Sequence, residues 1–80
     1  MMLIAEKAER INSESQFLMS IGMPDDERVL RLRALTKLMD GGWPDDLINN
    51  KMINRSLKGL VPDYTGESSV HEYYARWSGK

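Results

Sequence analysis

His71 is the sole histidine, and the chain holds no cysteine. A histidine acting as a general base needs a partner that orients its ring and a nucleophile within reach, and no spacing in this sequence supplies either. The expected reading of His71 is an exposed or partly packed side chain. The acidic doublets Asp25-Asp26 and Asp45-Asp46 are the other candidates, as metal ligands. Both stand where a helix or turn should begin, and carboxylates there satisfy free backbone N–H groups and the positive end of the helix dipole. The stretch from Asp40 to Lys51 has the length of a calcium loop, but it lacks alternating oxygen ligands and ends in a cation where a bidentate glutamate is required. Gly41-Gly42 has no following Lys-Ser/Thr and succeeds a helix instead of a strand, so it reads as a helix cap and not a phosphate loop. The expectation is a non-enzyme with no catalytic residue, no cofactor site and no metal site.

Two other groups of residues carry binding chemistry. Lys51, Asn54, Arg55 and Lys58 fall on the outer arc of one helix, and Asn and Arg are the side chains that read base edges in a major groove. The connection from Gly41 to Asn49 is longer than the turn of a helix-turn-helix, so DNA contact is the alternative and a solvated helix face the simpler reading. Tyr64, Tyr73, Tyr74 and Trp77, with Trp43 nearby, form an aromatic group. Tyr and Trp combine a large apolar body with a polar handle, so they serve as core fillers or as interface anchors. A small interior cannot take all of them, and one or two are assigned to an interface together with Arg31.

Four helical segments position these residues, divided by Gly22-Met23-Pro24, Gly41-Gly42-Trp43-Pro44 and Val61-Pro62-Asp63 with Gly66. The first, about 2–20, carries Ile4, Ala8, Ile11, Ser15 and Leu18 on one side. Ser13 with Gln16 is a weak capping box there, so one helix or two short ones fit equally. The second, about 25–40, opens at Pro24 and stops at Gly41. Its apolar arc of Leu30, Leu32, Ala34, Leu35, Leu38 and Met39 exceeds half the circumference, the pattern of a central helix, while Arg33, Thr36, Lys37 and Asp40 share the remainder. Arg31 projects inside the apolar arc and must snorkel out, pair with a carboxylate or lie at an interface.

In the third segment Leu47 and Ile48 are out of phase with Met52, Ile53, Leu57, Leu60 and Val61. A helix over about 50–61 with Asn49 as N-cap resolves the conflict, leaving 43–48 as an ordered loop or single turn and Pro62 as the stop. The fourth, about 69–77, starts at a Ser69/Glu72 capping box and places Val70, Tyr73, Tyr74 and Trp77 on one face. Met39 and Met52 fit core arcs.

The chain has 80 residues, 41% hydrophobic and 29% charged, with 11 basic and 12 acidic side chains, net −1. That describes one small domain, expected to be soluble and cytoplasmic, since no apolar run approaches the roughly 20 residues of a membrane-spanning helix. The balanced charge offers no global field for a polyanion. A chain this short buries only about 60% of its unfolded surface, so a homodimer is the expected remedy for a thin core.

The run Phe17-Leu18-Met19-Ser20-Ile21-Gly22, the acidic turn, Val29 to Met39 with Thr36-Lys37-Leu38-Met39, a glycine, then Asn49-Asn50-Lys51-Met52-Ile53 and Leu57 resembles the small helical regulators of the YmgB/AriR family. These are enterobacterial proteins associated with biofilm formation and acid resistance. The resemblance covers roughly residues 13 to 77. It implies an all-α homodimer without enzymatic activity, a connector that binds signalling proteins, with DNA binding as a further property. Asn49, Asn50 and Lys51 match family positions that begin a helix, and so carry over as structure. The combined expectation is a small all-α bundle acting by protein contact, through Arg31, Tyr64, Tyr73, Tyr74 and Trp77. A DNA-binding regulator and a phage or mobile-element inhibitor of a host enzyme are the alternatives.

Overall fold

A computed structural model describes residues 4–78 of the chain, with side chains described over 4–75. The fold is all-α: α1 (Ile4–Ser20), α2 (Asp25–Asp40), a 3-10 turn (Asp45–Leu47), α3 (Asn50–Leu57) and α4 (Glu67–Ser78), with no strand among the described residues. α1 is a single helix. Asn12 and Ser13 lie mid-helix and exposed, where their low propensity costs only tenths of a kcal/mol each. Leu18 is buried and Ile11 packs against the core, but Ile4 is 86% exposed because its end of α1 overruns the core.

α2 is the central helix, packed on both α1 and α3. Pro24 stands immediately before its first residue with φ −58°, and Asp25, Asp26 and Glu27 fill the first turn. Ala34, Leu35, Leu38 and Met39 are buried and Leu32 is half-buried, so of the apolar arc only Leu30 stands out, 53% exposed, beside Val29 at 43%. Arg31 finds an amide, not a carboxylate; its guanidinium donates to Asn54 Oδ1 at 2.5 Å.

Three helices end in the same way. At α3, Lys58 is the C-cap, Gly59 takes φ +70°, and the N–H groups of Gly59 and Leu60 return to the carbonyls of Ser56 (3.0 Å) and Arg55 (3.0 Å). This is a Schellman motif, in which the residue after the cap must be left-handed, a conformation glycine adopts without a Cβ penalty. Gly22 and Gly42 occupy the same place after α1 and α2, with Met23 N–H on Leu18 O and Trp43 N–H on Leu38 O. α3 therefore stops at Leu57, not near residue 61, because Gly59 ends it before Pro62 is reached. Its start is as expected: Asn49 accepts the Met52 N–H at 2.9 Å, Ile48 is buried, and Leu47 packs against the core from the 3-10 turn.

The start of α4 differs from expectation. The helix begins at Glu67, so Ser69 is its third residue and cannot be its cap. Ser69 is 2% exposed, its hydroxyl donating to Asp63 O at 2.9 Å and accepting the Thr65 N–H. The turn just before α4, at Asp63 and Thr65, takes the hydroxyl that the spacing within the helix assigns to a capping box.

The core joins Ala34, Leu35, Leu38 and Met39 to Trp43, Ile48, Met52, Ile53 and Tyr73. Trp43 is its hub: its ring lies 5.0 Å from Tyr64 and 5.9 Å from Tyr73, and its Nε1–H donates to Pro62 O at 2.9 Å. Lys7 pairs with Asp40 at 3.2 Å and Arg10 with Asp45, fastening α1 to the end of α2 and to the 3-10 turn. The described molecule measures 34 × 30 × 16 Å.

Candidate functional site

The acidic doublets serve the backbone and nearby cations. Asp25 pairs with Arg28 at 3.0 Å, Asp26 accepts the Glu27 N–H at 3.0 Å, and Asp45 holds Arg10. His71 is exposed on α4. Among the described residues, no group of three or more His, Cys, Asp or Glu is placed to hold a metal.

The basic face of α3 is split. Lys51 and Lys58 are exposed, but Asn54 accepts from Arg31. Arg55 turns inward, donating to the Tyr73 hydroxyl at 2.9 Å with its guanidinium 5.6 Å from that ring's centroid. The two side chains best suited to reading base edges are thus both engaged within the fold, which leaves two lysines, a charge pattern that positions on phosphates and does not read sequence.

The aromatic group also divides. Tyr73 is 1% exposed and belongs to the core. Its assignment to an interface is therefore corrected: Trp43 and Arg55 already enclose it. Tyr64 is half-buried against Trp43, and Tyr74 is 51% exposed with its ring edge-on to Tyr73 at 5.2 Å. The Trp77 side chain lies outside the described residues. Of the five contact residues expected, Tyr74 is well exposed and Arg31 and Tyr64 are partly so. Arg31 Nε is buried without a hydrogen-bond partner, which puts a polar cost on holding that guanidinium between α2 and α3.

No protein-family profile, no characterised protein and no solved structure matches this chain. No helix among the described residues is long and apolar enough to cross a membrane.

The surface that sequence patterning did not locate is apolar. Phe17 (51%), Met19 (58%) and Ile21 (58%) are exposed at the end of α1, and Val29 and Leu30 at the start of α2. Phe17 lies in the last turn of α1, and Ile21, just beyond it, returns its N–H to the Phe17 carbonyl at 3.2 Å. Along the outer side of α2, Val29, Leu32, Arg33, Thr36, Lys37 and Asp40 line a shallow depression of about 410 Å³. α2 meets two neighbours, α1 and α3, as its wide apolar arc predicts, while Arg33, Thr36, Lys37 and Asp40 of this lining are the polar arc that periodicity assigns to solvent.

Proposed function

We propose that this chain is a non-enzymatic regulator working in the cytoplasm by protein contact, as a connector or inhibitor of a signalling or host protein. The observation that carries this reading is the set of large apolar side chains, Phe17, Met19, Ile21, Val29, Leu30 and Tyr74, that stand exposed among the described residues. Exposed apolar groups scattered singly are ordinary, but several near one helix hairpin favour a surface that is covered in use. The resemblance to the YmgB/AriR regulators points the same way. Self-association is the simplest way to cover part of this area, and a homodimer belongs to the proposal.

The test is quantitative copurification from the native cells with the wild type and with Phe17→Ser/Ile21→Ser, both sites being exposed. A partner enriched with the wild type and lost with a variant of unchanged helicity supports the reading. An identical set of copurifying proteins for both chains removes this surface from the function. Sedimentation over a range of concentrations tests the homodimer: a mass that stays monomeric throughout eliminates it.

A further inference from the structure

The outer side of α2 has chemistry beyond exposed apolar area. The depression there draws all six of its described lining residues, Val29, Leu32, Arg33, Thr36, Lys37 and Asp40, from this one helix. Its length from residue 29 to residue 40 is about 16 Å at 1.5 Å per residue, three turns of helix. Two of its polar groups are already satisfied: the Thr36 hydroxyl donates to Leu32 O at 2.9 Å and Asp40 pairs with Lys7. An apolar occupant therefore strands neither of them.

The cations at this depression differ from most in the fold. Lys7, Arg10, Arg28, Arg31 and Arg55 are each held by a group of the chain itself. Arg33 and Lys37 are exposed and make no ion pair or side-chain hydrogen bond among the described residues. They stand one turn apart, about 6 Å along the axis, the separation of two side chains at i and i+4 on another helix. The strip thus offers a shallow apolar depression and two unneutralised positive charges in line.

We propose that the outer side of α2 docks an acidic amphipathic helix of a partner protein, with an aliphatic side chain in the depression and two carboxylates one turn apart on Arg33 and Lys37. This rests on the protein-contact reading and names the partner's chemistry. Helix-on-helix packing suits an open face that runs along one helix, and the charges set direction and register. A second copy fits less well. If α2 is laid antiparallel to itself with Asp26 against Lys37, Leu30 and not a carboxylate falls against Arg33.

The probe is a fluorescein-labelled synthetic helical peptide with a leucine stripe and two glutamates one turn apart, titrated into the full chain and followed by anisotropy. Its control carries lysine in place of both glutamates. The expected result is saturable binding of the glutamate peptide, weakened by salt, and none of the lysine peptide. Arg33→Glu/Lys37→Glu should raise Kd about tenfold or more, since two attractive pairs become repulsive, and Val29→Gln should weaken binding as well. Lys51→Glu/Lys58→Glu, which alters the free cations of α3 instead, should leave Kd unchanged.

Equal affinity for both α2 chains, or no binding at unchanged helicity, overturns the proposal. A dimer in sedimentation that dissolves with Arg33→Glu/Lys37→Glu makes a second copy the occupant and overturns it too. So does displacement of the peptide by duplex DNA with the same dependence on Arg33 and Lys37. If the peptide fails while Phe17→Ser/Ile21→Ser still removes a copurifying partner, the α2 strip is wrong and the protein-contact reading stands. Failure of both experiments removes both.

Discussion

Arg55 of α3 donates a hydrogen bond to the hydroxyl of Tyr73 on α4 at 2.9 Å, and its guanidinium carbon lies 5.6 Å from the centre of the same ring. One cation thereby meets both the polar end and the face of a side chain that is 1% exposed. The contact braces the short α4, which cannot hold its helical form without packing. It also withdraws Arg55 from the outer face of α3.

Tyr73→Phe keeps the ring and deletes the acceptor, leaving the cation–π contact in place. Its expected cost is about 1.5–3 kcal/mol, the range for a hydrogen bond to a charged group. Urea denaturation compared with the wild type reads this. An unchanged midpoint and slope would mean that water replaces the bond at no cost.

Neighbouring tyrosines should behave in opposite ways. Tyr73→Ala and Trp43→Ala each empty the centre of the aromatic cluster, and about 3–5 kcal/mol is expected for either, enough to unfold most of so small a domain. Tyr74→Ala, at a site 51% exposed, should stay within roughly 0.5–1 kcal/mol of the wild type. Thermal melts followed by far-UV circular dichroism distinguish them. Similar losses at 73 and 74 would contradict this division of the pair.

The stop of α3 can be tested residue by residue. Gly59→Ala forces a Cβ into a left-handed conformation and should destabilise by about 1–2 kcal/mol. Pro62→Ala retains the carbonyl that receives the Trp43 Nε1–H and should cost less, under about 1 kcal/mol. The reverse order would return the helix boundary to the proline.

Lys51→Glu/Lys58→Glu removes what remains of the basic face on α3, both side chains being exposed. Wild-type chain mixed with random-sequence duplex at near-physiological salt should give no retarded band, because two lysines neutralise too few phosphates to hold it. A salt-sensitive shift that disappears in this variant, with helicity intact, would restore DNA binding as the working function.

Short-range rules made much of this fold legible before any coordinates. Asn49 caps the helix after it because its side chain needs to reach only the N–H three residues on. Gly22 and Gly42 end helices because the left-handed residue and its return bonds lie within one turn. The phase break at Leu47 and Ile48 and the burial of Met39 and Met52 follow from periodicity along a single helix. Gly59 obeys the same capping rule as Gly22 and Gly42. Gly59 therefore ends α3 three residues before Pro62.

Which apolar residues are covered was decided by the tertiary structure. Tyr73 and Tyr74 are adjacent and share one expected face, yet only Tyr73 meets Trp43 and Arg55. The hydroxyl of Ser69 serves Asp63 because the connection folds back on α4, a contact that spacing within the helix cannot report. Along α2, periodicity marks every position able to face a neighbour, but how many neighbours arrive depends on the number and length of the other helices. Here α1 and α3 occupy part of the arc and leave Val29 and Leu30 to solvent. Local signals act within a turn of chain. Burial is a competition among distant segments for a finite interior, and it is settled only when they pack together.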